Sequence, residues 1–383
     1  MPEIQPPPLR NDCFALPPGV DWTPVAEAKS LLRQALSVVV SSGQLIAVEE
    51  ACDRILSSDI GAVRSNPPGS NSAVDGYGFA GPIAEGPQIM DLCEGRAAAG
   101  VPFQGRVEPG QACRILTGAI LPEGVDTVVL EEDCTIEPNR IAFNGPLKQW
   151  SNTREAGEDV ILGTPIFQAG RRLTSTDLSL LASAGVAEVK VYSRLRVGVL
   201  STGDELRMPG QTADDWQIYD ANRLMLLSMI RDLGFEAVDL GLVEDSRDTV
   251  RDTLNQGAQL CDLIITSGGA SAGDEDHISA ILKAEGQLTS WRIALKPGRP
   301  LALGVWSETP VIGLPGNPVA AWVCTMVFGR PAMEVLAGGL WREPRGYQVV
   351  AAFTKKKRRG RSEYLRARLN ADGQVEVFPS EGS

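Results

Sequence analysis

Between Leu195 and Gly338 the chain alternates short, β-branched apolar runs with helix-spaced stretches, joined by loops rich in glycine and charge. "LRVGVLST", "FEAVDLGLV", "CDLIIT", "SWRIALK", "LALGVW" and "TPVIGL" read as strands. "NRLMLLSMIRDLG", "SRDTVRDTLNQGA", "HISAILKAEG" and the stretch opened by "PVAAWVCTMVFG" read as helices, with Gly234 closing the first and Ser246 capping the second. Near-continuous apolar strands must be covered on both faces. The pattern therefore predicts a doubly wound, mainly parallel α/β sheet with helices on either side.

That architecture says where chemistry belongs. The carboxyl ends of the strands share one edge, and ligands bind there. "STGDEL" follows the first strand, "VEDS" the second, "SGGASAGDED" the third, "KPGRP" the fourth and "LPGNP" the last. Glu205, Asp245, Asp276, Lys296 and Arg299 are thus expected to converge although far apart in sequence. The third loop poses a contradiction. Its Gly-rich turn should attract oxyanions through backbone N–H groups, yet Asp274, Glu275 and Asp276 follow at once. A hard cation between carboxylates and anion resolves it. Mg²⁺ commonly takes one or two carboxylates together with substrate phosphates and waters. Glu205, Asp245 and Asp276 are the candidate metal ligands. Ser267, Gly268, Gly269 and Ser271, with Lys296 and Arg299, are the candidate oxyanion-binding group. The chemistry implied is metal-assisted cleavage of a phosphate ester or anhydride. Asp276 also reads as the N-cap of the next helix, a role compatible with metal binding.

Upstream the pattern changes. Ser57 to Trp150 has short apolar runs broken by Pro, Gly and Asn, a β-rich reading. "TPVAEAKSLLRQALSVV" is an amphipathic helix with Thr23 as N-cap and Pro24 at its first position. "EDVILGTPIFQAGRRLTSTDLSLLASAG" mixes a turn, a strand and a helix starting near Ser175, and is expected to pack on that N-terminal helix. "YLRARLNADGQVEVFPSEGS" is a hairpin turning at Asp372-Gly373. A lone hairpin is marginal, so it either docks on the rest or belongs to a longer domain. The expected division is 1–62 with 151–192 as a discontinuous linking domain, 63–150 as a β-rich domain, 193–338 as the α/β domain and 339–383 as an incomplete C-terminal β domain.

Several functions are disfavoured. A net charge of -12 argues against nucleic acid or an anionic membrane as the main partner. Pro, Gly or charge interrupts each apolar run short of a membrane span, and "MPEIQPPPLRND" lacks a signal-peptide core. A cytoplasmic protein is expected. Seven cysteines, with no C-x-x-C, read as reduced thiols. The single histidine, His277, excludes a His-cluster metal site. "GYGFAG" matches the dinucleotide fingerprint in letters, but the following "PIAEGP" cannot open a helix well. "GASAG" matches a nucleophile elbow, but its histidine would have to come from a later loop. "KKKRRGR" reads as a solvated connection or a wall for an anionic ligand.

"NSAVDGYG", "RILTGA", "REAGEDV", "STGDEL", "QIYDAN", "SGGASAGDEDH", "LKPGRP" and "GLPGNPV" occur in that order. Together they closely resemble the molybdopterin molybdenumtransferase family, known as MoeA in bacteria and as the gephyrin E-domain in animals, over nearly the whole chain. The resemblance implies a homodimer with α/β, β-rich, discontinuous linking and C-terminal β domains. It implies an enzyme that takes adenylylated molybdopterin, hydrolyses its anhydride with release of AMP, and inserts molybdate into the dithiolene with Mg²⁺. Asp75 and Thr117 match functional positions expected to reach the cleft from the partner subunit. Arg154 and Asp159 match in "REAGEDV", and Glu205, Asp245 and Asp276 match the acidic positions. Lys296 and Arg299 match the basic pair, and Pro315 and Pro318 shape "LPGNP". Molybdopterin adenylyltransferase and cofactor-accepting enzymes are implied partners. There are departures. "SGGAS" replaces the commoner "SGGVS". Arg299 stands where lysine is also common, keeping charge but changing fork geometry. The family's last domain is longer than the segment after Gly338. Two other readings stand beside this one. Adenylylating enzymes share the "SGG…GxxxxD" core but are much shorter and lack "NSAVDGYG" and "LPGNP". A dimeric scaffold of the same fold would not need Asp75, Glu205, Asp276 and Lys296.

Overall fold

A computed structural model describes residues 22–268, 277–298, 300–357 and 360–379. The chain divides into two compact units, Leu45–Val191 and the flanking segments Met1–Gln44 and Tyr192–Ser383.

Helix α1 (Val25–Ala35) belongs to the flanking unit. Pro24 holds its N-cap position with no side-chain cap. Thr23, expected there, is instead drawn into a bridge with Ile293, its N–H donating to the Arg292 carbonyl at 2.9 Å. Ala28 and Leu32 form the buried face of α1. That face packs against the helix Arg330–Leu336, and Lys29 pairs with Glu343. An amphipathic stripe specifies burial, not a partner.

The unit Leu45–Val191 is built on a six-stranded sheet. Its strands are β1 (Gly76–Phe79), β2 (Ile83–Ala97), β3 (Gln111–Ile115), β4 (Thr127–Leu130), β5 (Thr135–Glu137) and β6 (Arg140–Leu147). They lie in the order β4-β1-β3-β2-β6-β5, antiparallel except for β2 against β3. Tyr77, Phe79, Met90, Ile141 and Phe143 fill its core, and the Phe79 and Phe143 rings stack at 5.1 Å. "GYGFAG" is therefore strand, and its first glycine is there for close packing. A Cβ on Gly76 would lie 1.9 Å from the Val129 carbonyl oxygen. Gly76→Ala is expected to destabilise the protein by about 2–3 kcal/mol through that overpacking. Chemical denaturation checks this, and an unchanged midpoint would contradict it.

A second core of this unit joins its two ends. Ile60–Gly61 pairs with Pro165–Phe167, and Ile55 bridges Arg172. Leu56, Leu173, Leu181 and Val189 are buried together. Helix α2 (Ser175–Ser183) starts where the sequence indicates, with Thr174 and Asp177 in a capping box.

In the flanking unit the strands are β7 (Arg196–Thr202), β8 (Glu236–Val243), β9 (Leu263–Ser267), β10 (Gln287–Arg292), β11 (Pro300–Trp306) and β12 (Thr309–Leu314). Their order is β8-β7-β9-β12-β11-β10. β8, β7, β9 and β12 are parallel. β11 is antiparallel to both β12 and β10. Two reversals restore direction, so β10 runs with the parallel set and ends at the same edge. The helices are α3 (Ala221–Asp232), α4 (Arg247–Leu260), α5 (His277–Glu285), α6 (Pro318–Cys324) and α7 (Arg330–Leu336). α4 and α5 bury Val250, Leu254, Ile278 and Ile281 against Leu200 and Ile264. α3 packs with α6. Ser246 caps α4 as expected, accepting from the Thr249 N–H, and Gly234 follows α3 with φ +81°.

Among the described residues one helical stretch, Pro318–Leu336, is long and apolar enough to cross a membrane by length and composition. In sequence the run is interrupted at Gly329-Arg330-Pro331, as read, and only the continuity of the helix through that step gives it this length. Pro318 sits at the first helical position, where no N–H is needed. The Gly329–Pro331 step is absorbed by a π-helical turn, Thr325–Gly329. Most of the stretch is buried inside this unit as a core helix. Six cysteines lie in the described residues and none is bridged. Burial pushes the Cys324 and Cys113 thiols up to about 12, which suits inert core residues.

The hairpin strands are β13 (Ala367–Leu369) and β14 (Val375–Val377). It does not stand alone. Ala351 bridges Val375, and the Val375 N–H donates to the Val350 carbonyl, so an isolated bridge ties the hairpin to residues 350–352. Leu295–Lys296 pairs with Ser362–Glu363, seating this segment on the loop after β10.

Candidate functional site

The loops after β7, β8, β9, β10 and β12 all lie at the carboxyl edge of one sheet, as the strand directions require. β7 ends at Thr202, whose Oγ1 donates to Asp245 Oδ1 at 2.9 Å. The Asp245 N–H donates to Asp204 Oδ1 at 3.3 Å. Two loops are thereby tied at their carboxylates. The Glu205 carboxylate lies back across residue 203. A Cβ there would sit 2.6 Å from Glu205 Oε2, the movable end of that side chain.

β9 ends at Ser267, and Gly268 turns the chain with φ +91°. The Gly268 N–H donates to the Leu314 carbonyl at 3.1 Å, and Thr266 Oγ1 donates to the Gly268 carbonyl at 3.0 Å. Gly269, Ser271, Asp276 and Arg299 lie outside the described residues. Pro315 follows β12, and Pro318 opens α6 behind Asn317, whose side chain accepts from the Ala320 N–H. Among the described residues no three His, Cys, Asp or Glu side chains gather as a metal site. Glu205 and Asp245 are the two described members of the expected set.

Beside this edge a cleft of about 290 Å³ opens between the "KPGRP" and "LPGNP" loops and the C-terminal segment. Lys296, Asn317, Lys355, Tyr364, Arg366 and Phe378 line it. Glu363, also on its wall, is buried in an ion pair with Arg361 at 2.7 Å. Lys296, Lys355 and Arg366 bring three cationic side chains to the same wall. Lys355 opens the "KKKRRGR" run, which places that end of it on the wall of this cleft.

The unit Leu45–Val191 carries a second cluster. The Thr117 N–H and Oγ1–H both donate to Asp75 Oδ1 at 2.6 Å. The Thr117 hydroxyl, then the Thr117 amide, hold the Asp75 carboxyl below its ordinary 3.8. Arg154 pairs with Asp159 at 2.8 Å and with Glu158 at 3.4 Å. Asp159 also accepts from Asn66 Nδ2 at 3.1 Å. Asn71–Ser72 pairs with Thr153–Arg154, which sets "NSAVDGYG" beside "REAGEDV". Thr117→Val is expected to raise the Asp75 pKa part of the way to 3.8, since the amide hydrogen bond stays. A carboxyl held low adds stability that is present above pH 3.8 and lost as pH falls through the lowered value. NMR titration of Asp75 reads the shift, and identical curves would show that the hydroxyl holds nothing.

One residue of the edge was read from the sequence only as a letter within "QIYDAN". Asn222, buried at the start of α3, donates from Nδ2 to Ser267 Oγ at 2.9 Å and to the Gly316 carbonyl at 2.7 Å. Its position two residues after the capping Asp220 was the only local signal.

Residues 23–185 match the family described as the MoeA N-terminal region, domains I and II, and residues 198–335 match a probable molybdopterin binding domain. A molybdopterin molybdenumtransferase of Haemophilus influenzae is 39% identical over 92% of this chain and 87% of its own. One of a Nostoc species is 32% identical over 88% and 76%. The crystal structure of a molybdopterin biosynthesis MoeA protein from Pyrococcus horikoshii superposes with a TM-score of 0.79 at 24% identity, covering 95% of this chain and 91% of that one, and shares the fold.

Proposed function

This chain belongs to the molybdopterin molybdenumtransferase family, and on that premise we propose how its residues serve molybdenum cofactor biosynthesis. The substrates are adenylylated molybdopterin and molybdate. Water adds across the phosphoanhydride, giving AMP and molybdopterin, and molybdate enters the dithiolene. The observation that carries this reading is the gathering of Glu205, Asp245, Gly268 and the Lys296 loop at one strand edge, beside the cleft that Lys355 and Arg366 also line.

Glu205 and Asp245 are oxygen donors of the kind Mg²⁺ takes, and with Asp276 they would hold it. Bound there, Mg²⁺ would offset negative charge on the phosphate oxygens. The protein's own contribution is placement. The Thr202 hydroxyl fixes the Asp245 carboxylate. The turn at Gly268, with Ser267, Gly269 and Ser271, receives a phosphoryl oxygen. Lys296 and Arg299 neutralise and orient the anion, while Pro315 and Pro318 set the loop opposite. Arg154 and Asp159 brace the loop beside Asp75.

The chain acts as a cytoplasmic homodimer in which Asp75 and Thr117 serve the partner subunit's strand-edge site. Its product passes to cofactor-accepting enzymes, and its substrate comes from a molybdopterin adenylyltransferase. The four-segment division read from the sequence belongs to the same proposal. The test is incubation with adenylylated molybdopterin, Mg²⁺ and molybdate. AMP release coupled to protein-bound molybdenum is expected. A protein that releases no AMP under these conditions overturns the reading.

A further inference from the structure

We propose that Asn222 is a positioning residue for the oxyanion-binding turn: its amide ties the Ser267 oxygen to the Gly316 carbonyl and leaves the Ser267 hydroxyl to donate to a bound phosphoryl oxygen. This deepens the function proposed above and rests on it.

The orientation of the Asn222 amide is fixed by chemistry. A carbonyl can only accept, so the atom facing Gly316 at 2.7 Å must be the NH₂. The same nitrogen donates to Ser267 Oγ at 2.9 Å. Ser267 thus spends an oxygen lone pair on Asn222 and keeps its proton. Among the described residues no group accepts that proton, although Ser267 is 4% exposed. A buried donor without an acceptor is costly. It becomes intelligible where an anion is meant to arrive, and Ser267 directly precedes the left-handed Gly268 turn. Two more buried atoms nearby have no partner, Asn222 Oδ1 and Ser201 Oγ. Ser201 pairs in register with Ser267 on the adjacent strand. Among the described residues, this point of the edge therefore carries buried polar atoms left unpartnered.

Asn222 is itself held firmly. Asp220 Oδ1 accepts from the Arg223 N–H at 3.1 Å, and Asp220 Oδ2 from Arg223 Nε at 3.1 Å. The buried Arg223 also pairs with Asp239. The first turn of α3 is thus anchored, and through Asn222 it couples the end of β9 to the "LPGNP" loop.

The test is a double-variant cycle read by calorimetric titration with AMP. Asn222→Ala and Ser267→Ala are each expected to weaken AMP binding about tenfold, the size of one hydrogen bond to a charged group. If Asn222 acts through the Ser267 hydroxyl, the double variant binds no worse than either single one. The Tm decrease from Asn222→Ala should persist in the Ser267→Ala background. If Asn222→Ala does not fold, Asn222→Ser enters the same cycle. Losses that multiply, or an Asn222 variant that binds AMP like wild type, overturn the inference and leave the proposed function standing. Wild-type protein that neither binds nor releases AMP overturns both.

Discussion

Asp245→Asn is expected to lower AMP release on the order of a hundredfold at ordinary Mg²⁺, a loss typical of weakened metal binding and charge stabilisation. The substitution keeps size and shape. Thr202 Oγ1 can still donate, because an Asn Oδ1 accepts as Asp245 Oδ1 does at 2.9 Å. The fold should therefore survive while the charge is lost. Apparent Mg²⁺ affinity should fall, and excess Mg²⁺ should restore part of the rate. Asp276→Asn should behave alike, since Asn caps a helix about as well as Asp. The measurement is AMP release against Mg²⁺ for wild type and both variants. Superimposed curves would remove these carboxylates from the metal site and return them to the role of loop charges.

The second large effect concerns the proposed dimer. Asp75→Ala and Asp245→Asn homodimers should each be nearly inactive. In a two-fold dimer with shared sites, a heterodimer of the two variants carries one doubly damaged site and one intact site. It should recover about half of the wild-type rate by that symmetry count. If each site were built within one subunit, both would be damaged and nothing would return. Differently tagged subunits, purified through both tags, supply verified heterodimers. Background activity in that preparation would overturn the shared site. Full wild-type activity would also contradict it.

Much of the strand edge was legible in the sequence because its determinants are local. A β-branched run such as "LIITS" can only be satisfied as a strand covered on both faces, and β9 buries every residue from Leu263 to Ser267. Ser246 and Gly234 act within one turn of their helices, so they could be read without knowing any neighbour. The turn at Asp372-Gly373 likewise needed only its own residues, and β13 and β14 pair around it. Once strand order follows, the placement of Glu205, Asp245 and Lys296 at one edge is a consequence of parallel geometry.

What the tertiary structure decided depends on pairings that have no local cost. The apolar face of α1 would be buried equally well by several surfaces, and only packing set it on α7. Thr23 is a competent cap in isolation, yet a bridge to Ile293, distant in sequence, took it out of that role. The hairpin is tied down by an isolated bridge from Ala351, which carries no strong strand signal. The Asp75 carboxylate was legible as a charge, but its capture by Thr117 requires two strands of one sheet to meet. Asn222 is the clearest case. A side chain that joins Ser267 to Gly316 is one amide among many until folding brings both within 3 Å. Sequence fixes which groups must be buried and where the chain turns. Hydrogen-bond partners remote along the chain are chosen only when the elements close on one another, because directional bonds depend on tenths of an ångström that no local propensity encodes.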